Sequence, residues 1–189
     1  MKNHLIISLL ILSVGFSQRQ ERNEIITERH NNGLKKLVHV FVGTGINEIL
    51  VGKYGFYDSG LKEFVEFYKN NKKDGKSLYW YGNGNQKSEF NYTDGKLNGL
   101  QTEWYENEQK KSEGTYKDGK IHGLKTEWYE NGQKRYEGNY KEGGKDGLWI
   151  FWYQNGQKMR EGTYKDGKLI DEKCWNEKGW KKRCKGTFR

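Results

Sequence analysis

The sequence predicts an all-β fold, an elongated single-layer antiparallel sheet built from tandem β-hairpin repeats. Three observations carry this expectation. Aromatic and turn residues recur every 24 positions along much of the 189-residue chain. Between them, side chains alternate with a period of two, the signature of a strand. Two kinds of turn signal, Asn-Gly and Asp-Gly, recur out of step with each other, so the chain reverses at both ends of every unit.

The period is set by Trp80, Trp104, Trp128 and Trp152, each followed by a tyrosine (Tyr81, Tyr105, Tyr129, Tyr153) and, two residues later, by Asn83, Asn107, Asn131 or Asn155. Gly84, Gly132 and Gly156 come next, with Glu108 as the exception. Glu89, Glu113, Glu137 and Glu161 keep the same phase, as do Tyr92, Tyr116, Tyr140 and Tyr164. Each unit closes on Asp94-Gly95, Asp118-Gly119, Glu142-Gly143 or Asp166-Gly167, and a further glycine follows at Gly99, Gly123 and Gly147. Fainter copies surround Asn32-Gly33 and Asn70-Asn71 before the clear repeats, and Trp175 with Gly179 after them. Degenerate end units are expected of a stack whose ends face solvent. The segments are therefore a leader over 1–17, a degenerate N-terminal hairpin or cap over 18–53, 24-residue repeats over 54–171, and a basic partial repeat or cap over 172–189.

In the unit from Gly123 to Gly143, Leu124, Thr126 and Trp128 alternate with Lys125, Glu127 and Tyr129 before the turn at Glu130-Asn131-Gly132. A three-residue loop sets Trp128 opposite Lys134, Thr126 opposite Tyr136 and Leu124 opposite Gly138. Trp128, Leu124, Tyr136 and Tyr140 would then share one buried face, leaving the other face charged. A neighbouring tryptophan ring is expected over Gly138. Seven such hairpins would give a ribbon of roughly 65–70 Å.

Composition agrees with a thin structure. Only 33% of residues are hydrophobic and 31% are charged, yet 15% are aromatic and proline is absent, which argues against disorder. At the N-terminus, Lys2, the apolar run Leu5–Leu12 and the small residues Gly15 and Ser17 read as a secretory signal peptide cut before Gln18, an uncleaved anchor being the alternative. The chain is thus expected to be exported to a bacterial periplasm, envelope or exterior. Cys174 and Cys184, the only cysteines, flank the last turn; they are either a cross-strand disulfide or free thiols. The net charge is +9, and Asp171–Arg189 carries seven basic against three acidic residues.

The stretch EGTYKDGKIHGLKTEWYENGQK, Glu113–Lys134, resembles the MORN repeat variant, with its Tyr-x-x-Gly-x-x-x-Gly core and Trp-Tyr-x-Asn-Gly turn. Bacterial proteins with this repeat are commonly labelled YwqK-type antitoxins, so the resemblance implies a toxin as partner. MORN repeats elsewhere are linked to phospholipid attachment and to scaffolding. A signal peptide departs from a cytoplasmic antitoxin.

No catalytic constellation stands out, and no metal or cofactor is expected. His39 lies in an apolar run and reads as a packed strand residue, while His122 occupies a turn column with Asn98 and Asp146. The repeated glutamates read as a charge ladder facing lysines across strands rather than as glycosidase acids. The candidate binding residues are the aromatic ladder Trp80, Tyr81, Trp104, Tyr105, Trp128, Tyr129, Trp152 and Tyr153, because such rings are favoured at binding hot spots. The expected function is a non-catalytic protein-binding or scaffold module, with a phospholipid or glycan binder of the envelope as the alternative. Acidic residues interleaved with the lysines disfavour nucleic acid.

Overall fold

The structure is a computed structural model; it describes residues 6–8, 22–42 and 49–184. The leader expectation therefore falls largely outside the described residues. Among the described residues every regular element is a strand, every strand pair is antiparallel, and no helix is long and apolar enough to cross a membrane. The chain divides into two compact units, 1–96 and 97–189.

In the first unit the strands are β1 (Ile6–Ser8), β2 (Arg22–Arg29), β3 (Lys35–Val42), β4 (Ile49–Phe56), β5 (Lys62–Lys69), β6 (Lys72–Lys73), β7 (Gly75–Trp80) and β8 (Gln86–Thr93). β1 to β5 pair in chain order, β5 pairs with both β6 and β7, and β7 pairs with β8. The apolar run on β3 supplies the buried Val38 and Val40, and β5 supplies Val65. His39, between those valines, is a half-buried strand residue as expected, and burial followed by the Lys53 charge lowers its pKa.

β9 (Lys96–Leu97) spans the division between the units. The second unit continues with β10 (Gly99–Trp104), β11 (Lys110–Lys117), β12 (Lys120–Trp128), β13 (Lys134–Lys141), β14 (Gly144–Trp152), β15 (Lys158–Lys165), β16 (Lys168–Trp175) and β17 (Lys181–Lys182). From β10 to β17 each strand pairs with the next, an open meander.

The two turn signals build different turns. At Asp94-Gly95, Asp118-Gly119, Glu142-Gly143 and Asp166-Gly167 both residues have positive φ, as a two-residue type I′ hairpin requires, and Asn70-Asn71 does the same. At Asn131-Gly132 only the glycine has positive φ, 81°. Tyr129 O accepts from Gly132 N at 2.9 Å, and Tyr129 N donates to Gln133 O at 2.8 Å. This is the three-residue loop expected from sequence, closed by a left-handed glycine. Asn131 contributes its side chain instead, accepting from Gln133 N at 3.1 Å. In the one loop without the glycine, Glu108 adopts φ 67°. The left-handed cost to a Cβ exceeds the extra entropy of glycine, so Glu108→Gly is expected to stabilise by roughly 0.5–1 kcal/mol. A urea midpoint that does not rise would refute this.

Register departs from expectation by one bulge. Trp128 faces Lys134 as anticipated, but Glu127, not Thr126, faces Tyr136, and Lys125, not Leu124, faces Gly138. Arg135 is the extra residue, and the same shift recurs at Lys87, Lys111 and Met159. Because side chains alternate, one inserted residue moves its neighbours to the opposite face. Leu124 and Trp128 therefore lie on one face of the second unit and Tyr136 and Tyr140 on the other, so aromatic rings occupy both. On the tyrosine face Trp149 pairs with Gly138 and is 1% exposed. The ring expected over Gly138 is thus present, but it belongs to Trp149, outside the repeating tryptophan column. His122, read as a turn residue, is an exposed strand residue beside the positive-φ Gly123.

Candidate binding face

The repeating Trp-Tyr-x-Asn motif joins successive units. Tyr105 Oη donates to Trp128 O at 2.8 Å, Tyr129 Oη to Trp152 O at 2.9 Å and Tyr153 Oη to Trp175 O at 3.0 Å. The asparagine amides do likewise one loop along, from Asn107 to Glu130 O, Asn131 to Gln154 O and Asn155 to Glu177 O, at 2.9–3.0 Å. In the first unit Tyr57 Oη reaches Trp80 O at 2.7 Å in the same way.

The tryptophans are half-buried, and Trp80, Trp128, Trp152 and Trp175 are roofed by lysines. Lys110 Nζ lies 5.8 Å from the Trp128 ring centre, Lys134 Nζ 5.7 Å from Trp152 and Lys158 Nζ 5.3 Å from Trp175. Each of these lysines also donates to the glutamate three residues ahead: Glu113, Glu137 and Glu161. The glutamate ladder therefore meets lysines as expected, but mainly along its own strand. In the first unit Lys62 covers Trp80 at 5.9 Å and Lys87 covers Tyr81 at 5.5 Å. Tyr105 and Tyr153 are likewise approached by Lys111 and Lys182. The predicted ladder thus falls into rows, with the hydroxyls of Tyr105, Tyr129 and Tyr153 joining successive repeats and lysines over Trp80, Trp128 and Trp152.

The same face of the second unit carries two rows that the sequence reading missed. Leu100, Leu124 and Leu148 are 51%, 54% and 50% exposed. They pair with Thr115, Asn139 and Thr163. Two residues further along those partner strands stand the exposed lysines Lys117, Lys141 and Lys165, on the leucine side by alternation; Lys120 and Lys168 face two of them across the type I′ turns. Among the described residues none of these five lysines forms an ion pair. Two strand spacings separate successive leucines, roughly 10 Å. The signal was available, since each leucine directly follows the recurring glycine at Gly99, Gly123 or Gly147.

Three segments of the second unit, 97–118, 121–142 and 145–166, match the family model of the MORN repeat variant. All three leucines fall inside these MORN-variant segments, as do the forward hydrogen bonds of Tyr105 and Tyr129. No curated protein is a significant match to the chain. MORN repeats are generally non-catalytic modules that bind proteins or membranes.

Two clusters deserve a chemical reading. Glu66, in the first unit, accepts from Tyr68 Oη, Lys73 Nζ and Tyr79 Oη, each at 2.6 Å. Burial pushes its pKa up, but the bonds from Lys73 and the tyrosines outweigh burial and hold it below the ordinary value. Lys145, on the tyrosine face, lies 4.2 Å from the Trp149 ring centre, 4.9 Å from Tyr164 and 5.1 Å from Phe151. Burial and the Arg160 charge lower its pKa, although three rings favour its charged form. In both clusters the polar groups face one another or aromatic rings of the same unit. Cys174 and Cys184 are joined in a disulfide with their Cα atoms 5.3 Å apart. Glu172 lies close enough to complete a three-ligand group with the two sulfurs, but the disulfide engages both.

Proposed function

We propose that this chain is a non-catalytic binding module that recognises a partner protein through the leucine face of its MORN-variant repeats. The half-exposure of Leu100, Leu124 and Leu148 at a constant 24-residue interval carries the reading. The neighbouring columns are engaged within the fold, the tyrosine hydroxyls by carbonyls and the lysines and glutamates around the tryptophans by one another. The leucines form a regular apolar row, each about half exposed. Trp104, Trp128 and Trp152 border the row and belong to the proposed surface. The tyrosines beside them act chiefly in joining the units. Sugar stacking requires open ring faces, and lysines lie over Trp80, Trp128 and Trp152, so a glycan is the weaker ligand.

A partner outside the cytoplasm follows from the leader-like residues 1–17, and a toxin as that partner follows from the family resemblance. Both are part of the proposal. An anionic phospholipid surface is the second reading, favoured by Lys117, Lys141 and Lys165 running beside the leucine row.

The test is capture from an envelope extract by the mature chain and by a Leu100→Ser, Leu124→Ser, Leu148→Ser variant. The substitutions sit at exposed positions, where effects on stability are usually within about 0.5 kcal/mol each. A protein retained by the parent and lost by the folded variant supports the reading; equal retention by both refutes the leucine surface. Salt-sensitive co-sedimentation with phosphatidylglycerol vesicles, without protein capture, selects the phospholipid instead.

A further inference from the structure

The last hairpin of the second unit is held unlike those before it. The return strands β11, β13 and β15 are each eight residues long. β17 has two residues, Lys181–Lys182, and pairs only with Cys174 and Trp175. It brings no apolar side chain to the sheet: Lys181 and Lys182 are exposed, and Trp180 just before them is 72% exposed. What holds this segment is polar or covalent. Asn176 Oδ1 accepts from Lys178 N and Trp180 N, and Asn176 N donates to Trp180 O. Lys182 Nζ donates to Tyr153 Oη at 3.1 Å. Asn155 Nδ2, from the preceding loop, donates to Glu177 O at 3.0 Å. The covalent tie is the bond between Cys174 and Cys184.

These contributions are unequal. An exposed turn and two exposed side-chain hydrogen bonds contribute little when water competes for the same groups. A two-residue strand cannot offset the entropy of ordering the backbone that carries it. The disulfide removes most of that entropic cost by closing the loop in both states. Without it, residues 176–184 have too few interactions to stay on the edge of β16. The rest of the unit does not depend on the bond, because each repeat rests on its neighbours through the tyrosine and asparagine bonds and through Trp149.

We infer that the Cys174–Cys184 bond is a redox-sensitive clasp whose reduction releases residues 176–184 from β16 while the MORN-variant repeats stay folded. The co-reactant is a dithiol reductant. Its thiolate attacks Sγ of Cys184, which is half-buried, rather than that of Cys174, which is buried at 7% exposure. The protein S–S bond breaks, and Cys174 leaves as a thiolate that takes up a proton. The second thiol of the reductant then displaces Cys184, closing the reductant's own disulfide, so two electrons and two protons pass to the protein. Release uncovers the backbone of β16 at Cys174 and Trp175, together with one side of the Tyr153 ring. An uncovered strand edge with unpaired backbone groups accepts an extended segment of another chain, so the clasp sets whether the edge of β16 at Cys174 and Trp175 is covered or open.

The experiment is amide hydrogen exchange of the full chain, read by mass spectrometry with and without dithiothreitol at pH 8, beside a Cys184→Ser variant without reductant. Exchange over 176–184 is expected to rise about tenfold or more on reduction, with exchange over 110–165 unchanged. The variant should show the fast rate without reductant, which removes any question of whether the reagent reached the bond. A rise of less than about threefold over 176–184 in the variant would overturn the inference, because turn and side-chain contacts would then suffice. A comparable rise throughout 110–165 would also overturn it, since the bond would then support the whole unit.

Discussion

Trp149→Ala is expected to destabilise the second unit by about 3–5 kcal/mol, the usual cost of emptying a buried tryptophan site. Trp149 is the largest fully buried side chain among the described residues. Its indole lies over Gly138, meets Tyr140 edge-on with ring centres 4.8 Å apart and donates from Nε1 to Asn139 O at 3.0 Å. A Cβ on Gly138 would stand 2.3 Å from the ring, so Gly138→Ala is expected to cost about 1–3 kcal/mol by overpacking. The two effects are coupled. Once the indole is gone the added methyl enters free space, and Gly138→Ala should become nearly neutral in the Trp149→Ala background. Urea unfolding of the four proteins measures the cycle. Additive losses would mean that the glycine is needed for some reason other than the ring.

The second large effect is expected at Glu66. Replacing it with glutamine removes the charge that faces Lys73 and weakens the bonds from Tyr68 and Tyr79, at a cost of about 2–3 kcal/mol for this largely buried group. The Glu66 side chain is 12% exposed and that of Lys73 29%. The pH dependence follows from the directions of the shifts. With the folded pKa of Glu66 below its ordinary 4.5, its contribution is complete above 4.5 and is lost as pH falls through the folded value. Lys73 is raised above its ordinary 10.5 despite burial, by its bonds to Glu66 and Tyr79, so its contribution is complete below 10.5 and is lost above it. Burial and the bond to Glu66 push Tyr79 up to about 12, so above pH 10 the unfolded chain sheds that proton more readily and the fold loses ground. The stability difference between parent and Glu66→Gln should therefore be flat between about pH 5 and 9 and shrink at pH 3. A difference that persists unchanged at pH 3 would show that the carboxylate charge is not what the cluster uses.

Much of this architecture was legible because the sequence repeats. The 24-residue spacing of Trp104, Trp128 and Trp152 located every hairpin of the second unit, whereas the symmetry of Cys174 and Cys184 about the last turn left free thiols open as well as the disulfide that the structure contains. The bulge at Arg135 was not legible. Its neighbours Lys134 and Tyr136 give it no distinguishing composition, yet it moved Tyr136 to the face opposite Trp128. Trp149 stands where other repeats have Gln101, Lys125 and Glu172, so the repeating columns do not include the residue that packs most tightly. The leucine row was hidden differently. Leu124 fits a strand core by type, and only the shifted register shows that it faces solvent.

The hydrogen bonds from each loop run one way, from the tyrosine and asparagine of one unit to carbonyls of the next. A unit thus carries its own donors and the acceptors for its predecessor, and a copied or excised block of 24 residues leaves every junction complete. Asn176 stands in the tyrosine column of the last turn and bonds back within its own loop, so the series is punctuated there. Tandem duplication within 97–166 is a route by which this chain can lengthen without redesign. Each added unit lengthens the leucine row by a single step, so genes of this kind can tune the reach of a surface by recombination alone.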